Sequence, residues 1–385
     1  MAEDVPSLGY EVYVLRTGKP TIKKSAFKVS ETTLENEIFR VTVDTDSGWI
    51  ESILDKRSGR ELLDGYGNRL QLFEDKPTAW DAWNIGLGTE YPSQFRRIEV
   101  VEEGPIRAVF RLHRDFLKPG VEKSYPTEDF PSSFFTQDIV LIRGMDRIDF
   151  RTDVEWWEDK TMLKVAFPVS IKDTMATYEI PYGSIERSTT LTHPLDRGKW
   201  EVPALRWADV SDDGYGISLL NDSKYGYDIK GNVMRLSLLR SPEWPDPTAD
   251  RGDHSVAYAL FPHEGDWQES QTVRRGYEFN TPLIPVMTGI HGGELPETRS
   301  FIRLEPDNLI LTTVKRAERQ DDAWIVQWYE AIGENTKAML TLPMKPKQAF
   351  VSNFLEEDEE PVSFDGNTIR LDTRKHGIST IKVVF

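Results

Sequence analysis

The chain has no cysteine, and that absence removes disulfide bridges and thiolate metal sites together. It has no long apolar run either, and a mean hydropathy of −0.49 excludes a transmembrane helix. No basic, apolar, small-residue leader opens it, so nothing in the sequence argues for export, and a cytoplasmic protein is the expectation. Positive charge is in deficit: 47 Lys and Arg against 64 Asp and Glu leave a formal charge of −17. With no run of Lys or Arg to offset it, that charge repels nucleic acid and anionic membrane and leaves a neutral ligand or a protein as partner. Several motif classes are missing as well. No Gly-rich phosphate loop, GxSxG, HExxH or EF-hand spacing occurs, so nucleotide and serine-hydrolase chemistry have no support. The six histidines, His113, His193, His254, His263, His291 and His376, are scattered. Only His254 and His263 are placed to meet, if the strand between them folds back, and one such pair without thiolates is a poor basis for zinc.

What is present is strand after strand. At 385 residues, with a hydrophobic fraction of 38%, 11 Trp and 18 Phe, the chain is long enough for two or three domains with a large core. From residue 34 it alternates apolar and polar positions between turns: LENEIFRVTVD, a turn at 45–48, WIESILD, and a turn at 56–59. This period of two continues through residues 98–101, 106–114, 134–142, 148–156, 162–168, 177–180, 204–210, 216–220 and 233–239, and predicts antiparallel strands. Hardly any window carries helical periodicity, so the fold class expected is all-β, a large two-sheet sandwich. Pro285, Gly289, Gly292, Gly293 and Pro296 cluster as a linker, after which the strand pattern restarts. The expected division is therefore an N-terminal strand and linker over 1–30, a large sandwich over 31–295 and a second β-sandwich over 296–385. The acidic run at 355–361 reads as a solvated hairpin loop.

Two stretches interrupt good strands. In LQLFEDKPTAWDAWNI, residues 70–85, a strand runs into Pro77 and is followed by Trp80, Asp81 and Trp83. In LLRSPEWPDPTADRGDH, residues 238–254, Pro242, Pro245 and Pro247 forbid regular pairing and present Arg240, Trp244, Asp246, Asp250, Arg251 and His254. Indole rings stack on the C–H face of a sugar while carboxylates and guanidiniums take its hydroxyls, which is what a polyhydroxylated ligand needs. The plainer alternative is that the tryptophans pack between elements and the Arg–Asp pairs brace strand ends. Asp81, Asp246 and Asp250 supply carboxylates for glycoside hydrolysis, but with so many acids their spacing proves little. Trp156 and Trp157, at a strand end, read as core with one ring exposed.

The segments LENEIFRVTVDTDSGWIESILDKRSGRELL, NRLQLFEDKPTAWDAWNI, LRSPEWPDPTADRGDH, YALFPHEGDW, YEFNTPL and the closing VSNFLEEDEEPVSFDGNTIRLDTRKHGISTIKVVF occur in that order. Together they resemble the C-terminal half of the α-mannosidases of glycoside hydrolase family 38. The resemblance implies a galactose-mutarotase-like β-sandwich followed by a small C-terminal β-domain. It also implies that the zinc ligands, the nucleophile and the acid/base carboxylate of a retaining enzyme lie in a (β/α) catalytic domain, on another chain or absent. No catalytic or metal residue is therefore carried onto this chain, and zinc is expected only in the catalytic domain. As substrate-binding residues the resemblance points to Arg240, Asp246, Asp250, Trp80, Asp81 and Trp83, on two loops expected to adjoin on one face. The function implied is the non-catalytic part of a zinc-dependent α-mannosidase that acts on mannosides or mannose-containing oligosaccharides, with the catalytic domain as partner. Two other classes compete with it. One is a free-standing carbohydrate-binding module with Trp80, Trp83 and Trp244 as its platform; the other is an aldose epimerase, which needs a facing acid and base, commonly Glu and His, that the sequence does not single out.

Overall fold

A computed structural model describes residues 2, 5–18, 27–116, 132–190, 192–212 and 214–385; most of the polar stretch at 17–25 lies outside them. The chain divides into two compact units, one of Thr21–Ile180 and Ile185–Thr281, the other of Met1–Pro20, Pro181–Ser184 and Pro282–Phe385.

The larger unit is built on a nine-stranded sheet, a six-stranded sheet and a five-stranded sheet, with antiparallel pairing along the described ladders. In the nine-stranded sheet Gly252–Glu264 lies at the centre, between Tyr215–Asn221 and Ile148–Trp156. In the six-stranded sheet Thr161–Pro168 is flanked by Arg69–Asp75 and Val233–Arg240. The five-stranded sheet contains Phe39–Val43 and Ile50–Asp55. Alternation is visible where one face is wet: in Phe39–Val43 the residues Phe39, Val41 and Val43 are buried while Arg40 is exposed. It disappears where both faces are covered, as in TMLKVAFP of Thr161–Pro168, buried at seven consecutive positions. The core between the sheets holds Phe39, Leu72, Phe110, Phe150, Trp156, Phe167 and Tyr258, with the rings of Phe150 and Tyr258 stacked at 5.3 Å. Each such side chain contributes about 1.5–3 kcal/mol by leaving water.

Several polar groups taken into this core have partners that offset their desolvation. Lys164, in the fully buried strand, is ion-paired to Glu201 at 2.5 Å and Asp228 at 2.9 Å. The Tyr258 hydroxyl donates to Asn68 at 2.7 Å and lies 3.2 Å from the hydroxyl of Thr152. Trp156 is fully buried and Trp157 is partly exposed, as their place at a strand end suggested.

The smaller unit is a two-layer sandwich. Its four-stranded sheet includes Thr336–Thr341 and Thr368–Thr373, and its five-stranded sheet includes Ala323–Glu330 and Ile378–Val384. Leu340 and Ile369 of the first sheet meet Val326, Trp328 and Ile381 of the second in one core. A two-stranded ribbon pairs Gly9–Glu11 with Thr298–Ser300. The acidic run expected to be a loop supplies an edge strand, Asp358–Pro361, against Gln348–Ser352. Charge is common on edge strands because it discourages further pairing, so its exposure was legible but its pairing was not.

Helix is scarce but present. Thr272–Asn280 forms a nine-residue helix with Val273 and Gly276 buried. A Cβ at Gly276 would stand 2.9 Å from Trp207 Cδ1, so the glycine lets the helix close on the sheet. Two turns give too few repeats for a periodic signal over 11–18 residues, which is why the sequence pattern passed over it. Among the described residues no helix is long and apolar enough to cross a membrane.

Candidate carbohydrate-facing site

The two interrupting loops come together in the larger unit. Strand Arg69–Asp75 ends on a carboxylate, and the chain then turns through Pro77 and returns at Gly86. Lys76 N donates to Gly86 O at 2.9 Å, and Gly86 N donates to Asp75 Oδ1 at 2.8 Å. Gly86 is needed at this closure, because a Cβ there would lie 2.6 Å from Pro77 N. Within the turn Trp80 adopts a left-handed backbone, φ 61°, and its carbonyl accepts from both Trp83 N and Asn84 N at 2.9 Å.

Strand Val233–Arg240 delivers Arg240 to the same place. Its Nε donates to Asp75 Oδ2 at 2.5 Å, and its Nη atoms donate to the carbonyls of Asp81 (2.5 Å), Ala82 (3.3 Å) and Asn84. The guanidinium is thus a clasp between a buried carboxylate and the backbone of the first loop, a use suited to its fixed fork of donors. The second loop is bound down at its other end. Arg251 is forked on Asp159 at 2.7 and 2.6 Å, and Lys160 pairs with Glu243 at 2.5 Å.

Held this way, three indoles converge. Trp244 lies 5.1 Å from Trp80 and 5.3 Å from Trp83, and Trp80 lies 6.3 Å from Trp83, centroid to centroid. The three remain 60%, 66% and 48% exposed for Trp80, Trp83 and Trp244. The ring planes are inclined at 78°, 67° and 50° for Trp80–Trp83, Trp80–Trp244 and Trp83–Trp244, so the cluster is an exposed apolar patch of angled rings, each face of which a sugar ring can stack on.

The other candidate side chains have local duties. Asp246 accepts from Thr248 N and Oγ1 at 2.9 Å, and the bonds from Thr248 hold its carboxyl below the ordinary value. Asp250, itself left-handed at φ 61°, accepts from Arg240 N at 3.3 Å, and its carbonyl lies 2.7 Å from His254 Nε2. Asp81 meets Arg240 through its carbonyl. The sequence therefore found both loops and their tryptophans, but not the partners that hold them: Asp75, the carbonyl of Asn84, and Asp159. Asp75 had one available signal, a carboxylate at the last position of a strand just before a proline.

His254 and His263 do not meet. Both lie on the one continuous strand Gly252–Glu264, and each has its own partner, Asp250 O for His254 and Asp209 for His263. Among the described residues no group of three or more His, Asp or Glu side chains converges to hold a metal ion. Among the described residues, therefore, none fits the zinc that the family resemblance implies for the catalytic domain.

The fold is thus that of a large all-β protein in two sandwich units, and comparison with known proteins supplies the family. The description "Glycosyl hydrolases family 38 C-terminal domain" matches residues 34–248, and "Glycosyl hydrolases family 38 C-terminal beta sandwich domain" matches residues 308–381. Alpha-mannosidase 2C1 of Mus musculus is 34% identical over 401 residues, covering 99% of this chain and 37% of that protein. Alpha-mannosidase 2C1 of Homo sapiens is 35% identical over 373 residues, covering 92% and 34%. A solved α-mannosidase from Enterococcus faecalis V583 superposes with a TM-score of 0.76 at 16% identity, over 91% of this chain and 42% of that one; at that identity the likeness is one of fold. The chain belongs to glycosyl hydrolase family 38, within its C-terminal region. It spans about a third of the length of the curated relatives it matches.

Proposed function

We propose that this chain is the C-terminal, non-catalytic part of a zinc-dependent retaining α-mannosidase, and that its two tryptophan-bearing loops form one edge of a composite cleft for mannosides. The division expected from the sequence, a large sandwich over 31–295 and a small one over 296–385, belongs to the same reading. The observation that carries it is the convergence of Trp80, Trp83 and Trp244 on two loops clasped by Arg240. Retaining chemistry needs two carboxylates about 5–5.5 Å apart across the scissile bond, and on this reading both belong to the catalytic domain. What this chain contributes is a stacking surface that orients a sugar ring and excludes water from one side of it. The same platform favours a second reading, a carbohydrate-binding module that works alone, because stacking needs no other domain.

One set of measurements separates them. Purified alone, the chain is expected to hold no stoichiometric zinc and not to turn over an aryl α-mannoside; zinc together with turnover would overturn the non-catalytic assignment. In the enzyme completed with its catalytic domain, Trp83→Ala is expected to lower kcat/KM about tenfold, since one aromatic contact contributes on the order of 1 kcal/mol, with Tm unchanged. Unaltered kinetics, together with mannoside binding by the chain alone that Trp83→Ala abolishes, would select the free-standing module.

A further inference from the structure

Between the helix Thr272–Asn280 and the ribbon strand Thr298–Ser300, residues 281–297 form neither helix nor strand, and every one of them is exposed. Exposed connections of this kind are ordinarily rich in Gly, Ser and charge, which keep them solvated. This one is apolar. Leu283, Ile284, Val286, Met287, Ile290 and Leu295 all stand in solvent, Ile284 at 85% and Met287 at 79% exposure. No Asp, Glu, Lys or Arg occurs from 281 to 293, in a chain of which 29% is charged.

Apolar side chains gathered in water with charge kept away are what the centre of a protein interface is made of. Pro282, Pro285 and Pro296 restrict the backbone of the strap, so less conformational freedom is lost when something covers it. A second apolar run adjoins it within the same unit. The strand Gly9–Glu11 pairs with Thr298–Ser300, Val12 N donates to Glu297 O at 2.9 Å, and the Tyr10 hydroxyl donates to Pro296 O at 2.8 Å. Val12, Val14 and Leu15, which follow on that strand, are exposed as well.

Two observations say what covers this surface. A second copy of the chain would bring the same formal charge of −17, and two such bodies repel on approach. The match to the mouse and human relatives takes in only 37% and 34% of those proteins, so most of a protein of that length lies outside it. Both family descriptions are of C-terminal domains. In such relatives the remainder therefore precedes the matched region, and it joins that region through the N-terminal strand that runs beside the strap.

We infer that residues 283–295, with Val12, Val14 and Leu15 beside them, are the seat on which the catalytic part of the enzyme docks. The inference rests on the reading of this chain as the non-catalytic part of an α-mannosidase. Met287 supplies the probe, because thioether oxidation follows exposure. Peroxide is applied to the chain alone and to the enzyme completed with its catalytic domain, and each methionine is followed by mass spectrometry, with the exposed Met344 as reference. Met287 is expected to oxidise as readily as Met344 in the chain alone, and to fall in the completed enzyme to the slow rate of the buried Met162 and Met234. Ile284→Asp combined with Ile290→Asp should leave Tm unchanged in the chain alone, where both side chains are already in water, and lower it in the completed enzyme. Equal oxidation of Met287 in both states would overturn the proposal. So would protection in the chain alone that grows with its concentration, which would mean that a second copy covers the strap. Neither readout uses a mannoside. Protection of Met287 in an enzyme whose kcat/KM is indifferent to Trp83→Ala would keep the seat and reject the cleft, and an unprotected Met287 beside the expected Trp83→Ala loss would reject the seat alone.

Discussion

At the scale of single residues, Arg240 shows how much work one side chain does at a strand end. It is mostly buried, and Asp75 beneath it is 3% exposed, so removing the guanidinium strands a buried carboxylate as well as freeing the loop at 76–86. Arg240→Ala is expected to cost roughly 3 kcal/mol, the scale for breaking one side of a buried pair. The urea midpoint should fall and tryptophan fluorescence should shift as the three rings part. Arg240→Lys should recover little, since a point charge cannot span Asp75 and three carbonyls. An unchanged midpoint with an altered ligand affinity would mean that the guanidinium serves the ligand and not the loop. Glu35 carries a different consequence. Burial favours its neutral acid, but hydrogen bonds from Arg40, Lys56 and Lys28 outweigh that and bring its carboxyl from 4.5 down to about 2. A carboxyl lowered by folding stabilises the native state above its unfolded value and loses that contribution as the acid is protonated. The loss should therefore run from about pH 4.5 down to pH 2. Lys28 and Arg40 are solvated, so the effect is of order 1–3 kcal/mol. Urea midpoints measured across this window should fall more steeply for the native chain than for Glu35→Gln; parallel curves would rule the linkage out.

At the scale of elements, close approach decides which strands tolerate change. Tyr215–Asn221 is buried at all seven positions, and Gly216 within it faces the His263 ring. A Cβ there would fall 2.1 Å from His263 Cε1 and 2.4 Å from Ser211 Oγ. The ring cannot swing aside without giving up Asp209, so Gly216→Ala is expected to destabilise by roughly 1–3 kcal/mol, read as a lower Tm. An unchanged Tm would show that the imidazole is free to move. The two tryptophan loops illustrate a related point about recognition from sequence. Proline placed both loops outside the ladders, and that was legible because Pro lacks the donor a strand needs. Their adjacency depends on Thr161–Pro168 pairing with Arg69–Asp75 on one side and Val233–Arg240 on the other. Those partners are separated by more than a hundred residues of intervening chain, and no local pattern records which strands will pair.

At the scale of the whole molecule, the two units have cores with no residue in common, one around Phe110, Phe150 and Tyr258, the other around Val326, Trp328 and Ile381. Separate cores give separate cooperativity. Calorimetry is expected to resolve two transitions, or one whose van't Hoff enthalpy falls short of the calorimetric value, and Trp328→Ala should lower only the transition of the smaller unit. A single two-state transition that moves as a whole with that substitution would reject the division. The sequence by itself determined the fold class, because a period of two is imposed residue by residue on any strand with one wet face. It determined the family as well, through six motifs in order, and it located the tryptophans by the prolines that expel them from the sheets. Only the tertiary structure decided that Arg240 faces Asp75 and loop carbonyls, that His254 and His263 stay apart along one continuous strand, and that His263 pairs with Asp209. Each of these depends on strand neighbours distant in the chain, and long-range pairing is set by how whole faces bury against one another, not by the residues adjoining each group.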